Sequence, residues 1–134
     1  MTGVRIHEAR DLAWTTPADR LPADARQKLT EGEQTVRIAV REPGSDIQPQ
    51  LLEIAYEAGA QIKPHAHDAD EIVFVLEGEL HLGTRLLKAG DSMFIPGRSF
   101  YSFRAGPLGL KILNFRPRKD SAYYERGSER KSLL

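Results

Sequence analysis

From Thr35 onward, apolar and polar positions alternate over short distances. In "TVRIAVRE" Val36, Ile38 and Val40 alternate with Arg37, Ala39 and Arg41, the period-two signature of a half-buried strand. A second strand, "QLLEIAYE", is predicted after the turn-forming "EPGSDIQP". Further β-rich runs follow at "EIVFVLEG", "ELHLGT", "DSMFIPG", "SFYSFRAG" and "LGLKILNFRP", separated by Gly78, Gly83, Gly90, Pro96-Gly97 and Gly106-Pro107. No amphipathic helix lies between them, so the pattern predicts an all-β antiparallel sandwich or barrel over residues 35–117. Residues 1–34 read as a polar lead-in, interrupted by Pro17 and Pro22, with two helical turns in "PADARQKL". Residues 118–134 are polar apart from Tyr123, Tyr124 and the terminal leucines, and read as a tail or a partner-binding arm.

Composition narrows the class. At 134 residues the chain is the length of one domain with one core. No apolar run approaches the roughly 20 residues of a membrane helix, and "MTGVRIHEARDLAW" has charges where an export signal needs an apolar core. The expected address is the cytoplasm. The absence of cysteine removes disulfides, thiolate ligands and a cysteine nucleophile, so any metal must be held by nitrogen and oxygen. Nineteen basic residues against nineteen acidic ones leave no global field for nucleic acid or an anionic membrane. The local basic excess in "RPRKD" and "ERGSERK" reads as a solvated terminus.

The candidate chemistry sits in "PHAHDADE", Pro64 to Glu71, which holds two of the four histidines. Residues i and i+2 of a strand share a face, so His65 and His67 point together. If Asp68, Ala69 and Asp70 form a hairpin turn, Glu71 pairs across from His67 and Val73 from His65, bringing the Glu71 carboxylate to the same face. Two imidazoles and a carboxylate form a facial set suited to a divalent first-row metal. The alternative is an exposed, charged turn without a ligand. Gly59 and Gly78 frame the stretch as G-x5-H-x-H-x3-E-x6-G.

That frame resembles the first motif of the cupin superfamily of small double-stranded β-helix (jelly-roll) barrels. The second cupin motif, G-x5-P-x-G-x2-H, is similar to "GDSMFIPGRSFY": Gly90 and Pro96 are in place, Gly97 comes one position early, and Tyr101 stands where the final histidine belongs. The resemblance covers residues 59–101 and implies a jelly-roll monocupin. By position it implies His65, His67, Glu71 and Tyr101 as metal ligands. A phenol is a poor ligand unless a metal lowers its pKa. Three readings therefore stay open: a three-residue site with Tyr101 as hydrogen-bond donor or acid, a four-residue site with bound tyrosinate, and a metal-free pocket.

The resemblance implies a divalent ion (Fe, Zn, Ni or Mn) and an enzyme of dioxygenase, isomerase, lyase or cyclase type, acting on a small oxo- or hydroxy-organic compound, with Tyr101 catalytic. It equally accommodates a non-catalytic sensing cupin, or a metal-free acid-base enzyme using His65 or His67 with Tyr101. Small monocupins imply a homodimer, with the lead-in and tail as candidate interface segments. Among the remaining residues, Tyr101 and Phe103 should share a face, Phe103 as core. Lys63 reads as a rim lysine, and His7 and His81 as exposed. Trp14 should pack against the barrel or a second subunit. Asn114 should be a satisfied or outward side chain, and Gly59, Gly78 and Gly90 mark positive-φ or tightly bent positions.

Overall fold

A computed structural model of the chain describes residues 3–120, 122–125 and 128–131. Leu133 and Leu134 lie outside them. Following a 3-10 turn at Ala9–Asp11, the lead-in forms strand β1 (Trp14–Thr15) and three one-turn helices, α1 (Pro17–Arg20), α2 (Ala23–Arg26) and α3 (Glu31–Gln34). Thr30 caps α3 by accepting the Glu33 backbone N–H, while the Glu33 side chain returns to the Thr30 N–H. The lead-in is thus folded onto the barrel, with more helix than the one predicted segment.

The strands that follow are β2 (Arg37–Glu42), β3 (Gln50–Tyr56), β4 (Gln61–His65), β5 (Glu71–Leu82), β6 (Arg85–Lys88), β7 (Ser92–Ile95) and β8 (Tyr101–Arg116). With β1 they build an antiparallel sheet in the order β1-β2-β3-β8-β5-β6, with β4 also pairing β8 and β7 also pairing β5. A separate two-stranded ribbon joins β9 (Ala122–Glu125) to β10 (Ser128–Lys131). No described helix is long and apolar enough to cross a membrane.

The inward rows follow from register. Ile38 pairs Ile54, Ile54 pairs Ile112, and Ile112 pairs Val75; all four are buried in one core cluster. The next row runs Leu52, Asn114 and Val73. Alternation holds along β5, where Glu71, Val73 and Val75 are buried while Ile72 and Phe74 are exposed. It fails in β2: Val40, expected inward, is exposed beside a register shift between Val40 and Glu42, whereas Ala39 is buried.

Two predicted breaks are bends inside long strands. "EIVFVLEG" and "ELHLGT" form the single strand β5, and "SFYSFRAG" and "LGLKILNFRP" the single strand β8. The ladder between them shifts around Gly78, which pairs Leu110. Gly78 has φ +78°, and a Cβ there would meet the Gly109 carbonyl oxygen at 2.1 Å, so the two backbones touch at the bend. Gly59 and Gly90 also have positive φ, as expected.

The predicted hairpin between residues 65–67 and 71–73 does not form. His65 pairs Tyr101 on β8, and Glu71 pairs Ile95 on β7. The turn 68–70 instead supports the neighbouring loop: Gly97 donates its N–H to Asp70, and a Cβ at Gly97 would meet the Asp68 carbonyl oxygen at 2.2 Å. A local alternation pattern says which face a residue takes, but not which strand lies beside it.

Candidate metal and ligand site

The barrel holds a partly open cavity of about 110 Å³ with an apolar body and a polar end. Its apolar wall includes Leu52, Ile54, Val73, Phe103 and Ile112; its polar end includes His65, His67, Tyr101, Asn114, Arg116 and Tyr123. Its size is comparable with the ~150 Å³ that holds one benzene molecule.

Both predicted histidines are buried here, and each has one ring nitrogen committed. His65 Nδ1 lies 3.0 Å from the Lys63 carbonyl oxygen, and His67 Nδ1 lies 2.8 Å from that of Ala122. A carbonyl accepts only, so Nδ1 carries the proton and Nε2 the lone pair. Burial, then the neighbouring His67, lowers the pKa of His65 to about 4. Burial, then the Arg116 charge, also lowers that of His67. Both rings are neutral near pH 7.

Glu71 reaches the site by a route other than the expected hairpin. It is the first residue of β5 and is 1% exposed, in the wall behind the cavity. Its Oε2 accepts from Asn114 Nδ2 at 2.8 Å and lies 3.3 Å from Arg116 Nη2. Its Oε1 accepts from the Tyr101 hydroxyl at 3.2 Å and lies 4.0 Å from His67 Nε2. Burial, then the Glu71 charge, pushes the Tyr101 phenol well above its ordinary value, so it stays protonated. Among the described residues, no three His, Asp or Glu side chains are arranged to hold a metal as they stand.

Three residues of this end were not predicted as site residues. Asn114 was expected only to be satisfied or outward; it faces the cavity and holds Glu71. Arg116 follows it at i+2, and its Nε donates to Asn114 Oδ1 at 3.1 Å. The "ILNFR" alternation carried that signal. Tyr123 carried none: β9 lays its ring parallel to His65, with centroids 5.1 Å apart. The segment is pinned by the Ala66–Tyr124 backbone pair and by buried Asp120, which accepts from the Ala69 and Ala122 N–H groups.

Of the other expectations all but that for His81, expected exposed, are met around the site. Tyr101 and Phe103 share a face, their rings stacked at 6.2 Å, and Phe103 is core. Lys63 lies at the rim, 3.5 Å from Glu125. His81 is half-buried beside Glu79. His7 is exposed and contacts Glu42. Trp14 packs on the outer sheet face under Arg37 and Lys111.

Residues 52–106 match the family model described as "Cupin domain". No curated protein matches the sequence. Among solved structures, the polyketide cyclase RemF from Streptomyces resistomycificus is similar with TM-score 0.67 and 19% identity, over 99% of this chain and 87% of that one. KdgF from Halomonas sp. is similar with TM-score 0.63 and 19% identity, over 87% and 96%. A chain from the Rhodobacter sphaeroides complex of SigE with the anti-sigma ChrR is similar with TM-score 0.60 and 20% identity, over 81% and 51%. At these identities the likeness is one of fold, and enzymes and a regulator share it. The motif frame, the jelly-roll sheet and the family match together identify a cupin domain in this chain, matched over residues 52–106.

Proposed function

We propose that the protein is a metal-dependent enzyme acting on a small oxo- or hydroxy-organic compound bound in the barrel cavity. One observation carries this reading: His65 and His67 each commit Nδ1 to a backbone carbonyl, leaving a neutral Nε2 lone pair at the cavity end. A carbonyl behind each imidazole is the support that metal-ligating histidines have, and the neutral ring is the form that binds. The donor chemistry fits a divalent ion of the Fe, Zn, Ni or Mn type. His65 and His67 would hold it, with Glu71 as the third donor through Oε1, the oxygen that Asn114 and Arg116 leave open. When bound, the ion supplies Lewis-acid polarisation or, with iron, oxygen chemistry.

The remaining steps belong to the chain. Tyr101 keeps its proton and donates it in a hydrogen bond, first to Glu71 and then to an oxygen of the compound as charge develops there. Asn114 and Arg116 hold the Glu71 carboxylate in place, and the apolar wall excludes water. The enzymatic reading draws support from the fold shared with a polyketide cyclase.

A non-catalytic ligand-binding cupin is the second reading. It is favoured by the Arg116 guanidinium, a buried cation 3.3 Å from the carboxylate that a metal needs. Elemental analysis of protein purified without a tag separates the two, repeated on His65→Ala/His67→Ala. Near-stoichiometric metal that disappears in the variant supports the first; no uptake from divalent salts in either protein overturns it.

A further inference from the structure

The cavity lining holds a second cation, half-buried, whose side-on edge no described residue pairs. Arg20, the last residue of α1, lines the cavity, and its Nη1 donates to Thr15 Oγ1 at 3.0 Å. Its Nε and Nη2 are buried and, among the described residues, have no hydrogen-bond partner; no other buried side-chain nitrogen or oxygen is in that position. The neighbouring Asp19 carboxylate acts on Arg20 by its charge without a hydrogen bond to it, its Oδ2 accepting from the Thr16 N–H and hydroxyl in the α1 cap. Glu33, the acidic residue of the lining, accepts from the Thr30 and Lys63 N–H groups.

The identity of the two unpaired nitrogens is informative. Nε–H and one Nη2–H are parallel and form the side-on edge of a guanidinium, the edge that grips a carboxylate through two bonds. Thr15 holds the remaining nitrogen and fixes that edge in the cavity wall. An arginine does not lose its charge to escape burial, so a fork without a protein partner is tolerated where a ligand completes it.

We infer that Arg20 is the specificity residue of the cavity and binds the carboxylate of a small compound whose remaining body is apolar. The inference rests on the reading of the cavity as a ligand site and names its substrate class. One fork in an apolar wall matches a planar monoanion; a phosphate dianion needs more donors than the wall offers. The carboxylate end lies at the lead-in, so residues preceding the barrel select the compound while the histidine end acts on it.

The test is calorimetric binding of benzoate and hexanoate, each beside its neutral amide, to the full chain and to Arg20→Met and Arg20→Lys. The expected result is carboxylate binding that weakens roughly tenfold or more in Arg20→Met, with amide binding unchanged. Arg20→Lys, which keeps the charge but not the fork, should lose most of the same affinity. Carboxylates that bind the variants as well as the parent overturn the assignment and leave the cavity reading intact. Failure of acids and amides alike to bind the parent overturns both. A second readout needs no ligand: Arg20→Met should raise the melting temperature of the free protein by removing two buried N–H groups that have no protein partner, and a lower one overturns the inference.

Discussion

Tyr123 lies parallel to His65, with 2° between the ring planes, although His65 ends β4 and Tyr123 belongs to β9, beyond the last barrel strand. The contact lines the polar end of the cavity and contributes to the burial that keeps His65 neutral. Tyr123→Ala should therefore cost stability, about 2–4 kcal/mol for a buried ring, and raise the His65 pKa towards 6.5 as water enters. Urea unfolding and NMR titration of the imidazole check the two effects.

Arg116 and Glu71 are both buried and paired. Arg116→Met leaves the carboxylate without its charge partner and should destabilise by about 3–5 kcal/mol. Glu71→Gln combined with Arg116→Met should recover much of that loss, because neither charge is then stranded. A double-mutant cycle in urea measures the coupling, and additive losses would contradict the pairing.

Stability should depend on pH through His65. Its folded pKa, about 4, lies below the ordinary 6.5, so the unfolded chain binds the proton more readily. Its contribution is complete above about 6.5, declines as pH falls towards about 4, and levels off below. In chelator-treated protein the urea midpoint of the parent should fall across this window more steeply than that of His65→Gln. Equal slopes would show that the imidazole is not buried.

The bend at Gly78 permits no side chain. Gly78→Ala places a Cβ 2.1 Å from the Gly109 carbonyl oxygen at a positive φ, so β5 and β8 must separate. A loss of roughly 1–3 kcal/mol is expected. Gly59→Ala also has positive φ but meets nothing within 4 Å, and should cost less; thermal melts of the pair check the order.

Divalent ions should stabilise the folded protein through His65 and His67, because the two lone pairs are assembled only on folding. Zinc or nickel should raise the melting temperature of the parent and leave His65→Ala/His67→Ala unmoved. A shift of equal size in both would place binding elsewhere.

Alternation and glycine punctuation were enough to read the β class, and the spacing of His65 and His67 put two imidazoles on one face. These are local properties: a strand's period fixes a side chain's face whatever lies beside it. The motif frame also pointed to Glu71 and Tyr101. What lay beyond the sequence was adjacency. That β4 pairs β8, that Glu71 meets Asn114 and Arg116, that Tyr123 covers His65, and that Arg20 reaches the cavity from the lead-in are all contacts between distant segments. They are chosen by the burial of the whole barrel, since each strand buries its apolar face equally well against several neighbours and only the closed sheet selects one.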